Sequence, residues 1–121
     1  MDISREAALD HLKSWKSSSS PLSVAVECNG LKIFSTARVK GVSGELLYLG
    51  LSENGGLTLP LSRATRFQTF LHAEVAPSDI GLANKGCTLL LVITFADGSL
   101  CRICEPNEAN FPLVLFSDVP K

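Results

Sequence analysis

The sequence has no excess of either charge: 11 Lys and Arg stand against 12 Asp and Glu among 121 residues, a formal net charge of −1. That balance excludes a basic nucleic-acid arm, a polybasic membrane patch and an acidic solvating tail as whole-chain explanations. Long apolar runs are missing too. The longest, Leu89 to Ile93, is far below the ~18 residues a membrane-spanning helix needs. No basic-then-apolar stretch opens the chain, so no signal peptide is expected. Histidine is scarce, with only His11 and His72, and no Gly-x-Ser-x-Gly elbow or Gly-x-x-x-x-Gly-Lys loop is present. A nucleophile, a base and an oxyanion stabiliser cannot be assembled from such residues, which argues against an enzyme. The apolar fraction of 45% is that of a folded domain, and the length is that of one domain rather than two.

What is present begins with one helix, expected over Ser4 to Lys16. Ser4 caps it, Glu6 meets the positive end of its dipole, and Ile3 with Ala8 has the spacing of a hydrophobic staple. Ala8, Leu12 and Trp15 form a narrow apolar stripe. Residues 17–21, four serines and Pro21, read as a linker that ends the helix. The remainder, 22–116, is expected to be a β-domain.

Asn29-Gly30 signals a type I′ hairpin turn, which needs positive φ at both central residues. It sets Val26 opposite Ile33 and Cys28 opposite Leu31, and predicts a Glu27–Lys32 cross-strand ion pair. A turn at Ser43-Gly44 then opposes Val39 to Tyr48, placing Leu46 and Tyr48 in the core. A third turn, at Asn54-Gly55, opposes Gly50 to Leu59 and adds Leu57, Leu59 and Leu61 to that face. Pro60 lacks a ladder donor, so its strand belongs at an edge or carries a bulge. Thr65 to Phe70 fits a strand or a turn of helix, 76–86 reads as a loop, and Asp97-Gly98 turns the last clear hairpin. Phe111 to Phe116 reads as a closing strand. The expected fold is mainly β, a small antiparallel barrel or curled sheet with one N-terminal amphipathic helix. The predicted core includes Val26, Ile33, Val39, Tyr48, Leu59 and Leu91.

Cys101 and Cys104 have the spacing of a redox or zinc pair, yet within a strand residues three apart point to opposite faces. They read as small buried residues, with no metal expected. All four cysteines are expected to be free thiols in a cytoplasmic protein. Lys32, Arg38 and Lys40 share the outward face of one strand. The segment Gly50-Leu51-Ser52-Glu53-Asn54-Gly55-Gly56 resembles the Asp/Asn-x-Ser-x-x-Gly hairpin of PilZ domains, small six-stranded barrels many of which bind cyclic di-guanylate. The acidic or amide position is Gly50, and the family's upstream Arg-x-x-x-Arg is absent, so only Ser52 and Gly55 carry over. The resemblance implies a barrel and, through Ser52 and Gly55, a ligand site; with Asn54 of the same turn and Arg38 and Lys40 of the basic strand face, these are the candidates for a small anionic ligand.

The functional expectation is a non-catalytic binding or interaction module without a cofactor. A degenerate PilZ-like ligand sensor is the alternative, and a small enzyme of another class the third reading. With Ser43-Gly44 as the turn, Phe34, Leu47, Leu49 and Leu51 project from the core face and predict a homodimer through that apolar surface. The last hairpin poses the same question: Leu89, Leu91, Ile93 and Phe95 fill one face, and Leu90, Val92 and Ile103 the other.

Overall fold

In the computed structural model, residues 1–51, 55–71 and 87–106 are described. The hairpin of β2 (Leu22–Cys28) and β3 (Leu31–Val42) forms as its turn chemistry dictates. Asn29 and Gly30 hold φ of 50° and 81°, and Val26 faces Ile33 while Cys28 faces Leu31. Glu27 lies opposite Lys32, but its carboxylate is taken by Arg102 at 2.5 Å, half-sheltered on the next strand, in place of the expected Lys32 pair. A planar, part-buried guanidinium competes better for a carboxylate than an exposed lysine on its flexible stem.

The remaining strands are β1 (Asp2–Ile3), β4 (Leu46–Leu51), β5 (Gly56–Pro60), β6 (Ala64–Leu71), β7 (Cys87–Phe95) and β8 (Leu100–Pro106), with a short 3₁₀ turn at Leu61–Arg63. They form one antiparallel eight-stranded sheet in the order β1-β6-β7-β8-β2-β3-β4-β5. The sheet is curled and not closed into a barrel. Pro60 lies on the edge strand β5, where its missing N–H costs no ladder bond. Thr65 to Phe70 is strand, not helix. At the β7–β8 connection Phe95 N–H bonds Ser99 C=O at 2.9 Å, and Gly98 takes φ of 90°. The loop at 76–86 and the strand at 111–116 lie outside the described residues.

Helix α1 runs from Arg5 to Ser18, two residues beyond the expected end, with Ser4 Oγ accepting Ala7 N–H at 3.1 Å. Ser19 ends it in the left-handed region, φ 51°, so serine permits termination two residues later than composition suggested. Its stripe of Ala8, Leu12 and Trp15 is buried, and the helix packs on β3 and β6. Trp15 Nε1 donates to Glu105 at 2.9 Å, while Arg5 donates to the Leu61 and Ala64 carbonyls at 2.6 and 3.1 Å. The helix thereby bridges strands from the two arms of the curl.

One bulged residue changes the inside of β4. The β3–β4 turn centres on Gly44-Glu45, where Ser43 N–H bonds Leu46 C=O and Ser43 Oγ accepts the Leu46 N–H. Moving a turn by one residue slides the pairing by two and preserves the faces. The bulge at Lys40, between the pairs Val39–Leu49 and Gly41–Tyr48, does not. Leu47 and Leu49 are fully buried in the core, and Leu46 and Tyr48 are exposed, the reverse of the expected assignment. The next turn also differs: Gly50 faces Gly56 and Leu47 faces Leu59. This second odd shift cancels the first, so Leu59 and Leu61 remain buried.

The homodimer surface expected at Leu47, Leu49 and Leu51 therefore does not exist as drawn. The first two belong to the chain's own core, Leu51 is half-buried, and Phe34 is the only exposed member of the set. Ile103 likewise moves to the main core, opposite Leu91. A smaller cluster on the other face joins Ala25, Leu90, Val92 and Cys104. Cys101 and Cys104 fall in different clusters, as strand alternation requires. Cys28 and Cys101 are free thiols, Cys104 is buried, and the side chain of Cys87 lies outside the description. Among the described residues, no helix is long and apolar enough to cross a membrane.

Candidate functional site

The concave face is filled unevenly along its length. Val24, Val26, Ile93, Cys101 and Ile103 fill its middle. Trp15 reaches the Glu105 end of β8, about 20 Å from the strand's other end at ~3.4 Å per residue. Among the described residues, no helix covers the strands at the Ser99 end. Ile33, expected in the core, is on the correct face but 48% exposed, and Leu31 beside it is 69% exposed.

These residues line a cavity of about 390 Å³. One wall is the β2–β3 hairpin, through Val26, Cys28, Leu31 and Ile33; the other is Leu57, Leu59 and Pro60 of β5. Phe95, Ala96, Asp97 and Ser99 of the β7–β8 turn, with Arg63, complete it. The period-2 pattern that points Leu31 and Ile33 inward is ordinary core patterning, and among the described residues α1 does not reach far enough to cover them. Apolar side chains exposed inside a concavity, rather than on a convex surface, are the usual lining of a ligand pocket.

Two charges stand at its rim. Arg63 is exposed, and its backbone carbonyl accepts Ala96 N–H at 2.9 Å, which pins the end of the 3₁₀ turn to the β7–β8 turn. Asp97 accepts Ser99 N–H at 2.9 Å. Hydrogen bonds from the Ser99 side chain and backbone, with Arg63 a smaller contributor, hold its carboxyl below the ordinary 3.8. By contrast, Cys101 is enclosed in the core, and burial pushes its thiol up to about 12.

The candidates from the hairpin motif and the basic strand face lie elsewhere. Arg38, Lys40, Gly50, Leu51 and Gly55 line a shallow depression of about 280 Å³ with Thr36 and Ala37. Ser52 and Asn54 lie outside the described residues. Lys40 lies across Gly50, where any Cβ would meet its side chain at 2.9 Å. Arg38 Nε is already committed to the Ser19 carbonyl at 3.0 Å, where a cation complements the C-terminal end of α1. Lys32 is at the other end of β3, beside Asp97, and is not part of this group. His11 packs its ring against Trp15, with centroids 6.2 Å apart, and His72 lies outside the described residues. Among the described residues, no three His, Cys, Asp or Glu side chains converge on a metal-sized site.

No protein-family model, curated protein or solved structure matches the chain.

Proposed function

We propose that this chain is a non-catalytic binding module of the cytoplasm whose ligand enters the open end of the curled sheet. The observation that carries the reading is the 390 Å³ apolar cavity between the β2–β3 hairpin and β5. Its size falls within the ~300–1,000 Å³ of small-molecule sites, and its few polar groups sit at the rim, where they orient rather than solvate. Covering Leu31 and Ile33 yields roughly 25 cal/mol for each Å² of apolar surface removed from water.

The alternative, a degenerate PilZ-like sensor, draws support from the approach of Arg38, Lys40, Gly50 and Gly55 to one depression. That site is shallow and its arginine is partly spent on α1, which favours the cavity.

Titration with a naphthalene-sulfonate dye tests the choice. Saturable fluorescence at one dye per chain is expected from the wild type, with loss in Ile33→Glu and retention in Tyr48→Glu. Both replaced side chains are about half exposed, so both variants should fold. Equal dye binding by all three proteins would overturn the cavity reading.

A further inference from the structure

We propose that the ligand of this cavity is an aliphatic amphiphile with an anionic head, a hydrocarbon carboxylate of about ten carbons whose head is held by Arg63. The inference rests on the binding reading above and adds the ligand's chemical class.

The tail follows from the lining. Val26, Leu31, Ile33, Leu57, Leu59 and Phe95 offer no hydrogen-bond partner. A buried polar group on the ligand would therefore lose its water without replacement, which selects hydrocarbon for the inner part. The length follows from the volume. At the ~30 Å³ that a water-sized group occupies, 390 Å³ holds about 13 such groups.

The head follows from the rim. Arg63 has an exposed guanidinium with no ion pair or side-chain hydrogen bond among the described residues, while its backbone is pinned to Ala96. Its planar fork matches a carboxylate in two parallel hydrogen bonds. Among the described lining residues Asp97 is the only acid, and its acceptor capacity is partly used by Ser99. An ammonium head would therefore share a carboxylate already engaged by Ser99, whereas a carboxylate meets guanidinium donors with no partner among the described residues. Asp97 remains a repulsive neighbour and limits the affinity.

Calorimetric titration of the intact protein with decanoate, decanol and decylamine, each below its micellar concentration, tests this. Decanoate is expected to bind at one site and most tightly. Arg63→Gln should weaken decanoate about two- to fivefold, the range of an exposed ion pair, and leave decanol unchanged. Asp97→Asn should tighten decanoate. Equal binding of decanol and decanoate with no effect of Arg63→Gln would overturn the anionic head while leaving the cavity reading intact. Preference for decylamine, lost in Asp97→Asn, would overturn it in favour of a cationic ligand. Failure of all three probes in a protein that still binds the dye through Ile33 would overturn this inference and leave the cavity reading intact.

Discussion

Replacing Leu49 by alanine tests the β4 register where the account departs most from simple alternation. Leu49 is fully buried, opposite Val39 on one side and Leu57 on the other. Truncation removes most of the side chain and leaves a void that paired strands can close only partly. A cost of about 3–5 kcal/mol is expected, as for buried leucines elsewhere, against a total stability of ~5–15 kcal/mol. Urea unfolding followed by Trp15 fluorescence should show the midpoint falling by about 1–3 M with an unchanged slope. Leu46, half exposed and on the face of β4 opposite to Leu47 and Leu49, serves as the control. Leu46→Ala should cost under ~1 kcal/mol, as surface changes do. The opposite order, a mild Leu49→Ala beside a severe Leu46→Ala, would refute the bulge at Lys40 and restore the faces expected from a turn at Ser43-Gly44.

Two further outcomes follow from single residues. Gly30→Val should lower stability by about 1–3 kcal/mol in chemical denaturation, because φ of 81° is unfavourable for a β-branched residue although nothing lies within 4 Å of the added Cβ. An unchanged midpoint would contradict the type I′ turn. In native alkylation followed by peptide mapping, Cys28 should react well before Cys101 and Cys104, which are buried; early labelling of Cys101 would show that the core opens readily.

Turn chemistry made the fold legible wherever a dipeptide allowed one geometry. Asn29-Gly30 set the β2–β3 register residue by residue, and Pro60 marked the edge. The β3–β4 pairing was not legible because Lys40 resembles any outward lysine, and a bulge leaves no residue signature there. Two parity changes, at Lys40 and between Leu51 and Gly56, cancel at β5, so the right residues of that strand were predicted from the wrong pairing. Arg38, Lys40 and Gly55 were singled out and do lie together. The cavity was missed for a different reason. Leu31, Ile33, Leu57 and Leu59 carry the pattern of core residues, and sequence alternation specifies the face but not which end of that face a helix covers. Arg63, in a segment with no clear period, gave no signal beyond its charge.

Methyl NMR during decanoate titration tests the central claim most directly. The account predicts saturable shifts of the Val26, Ile33, Leu57 and Leu59 methyls, with those of Leu12, Leu47 and Leu49 nearly unmoved. Those last three are fully buried and lie outside the cavity lining. Shifts centred on Leu46, or on Thr36 and Leu51 beside Arg38, with Ile33 and Leu59 unmoved, would contradict it.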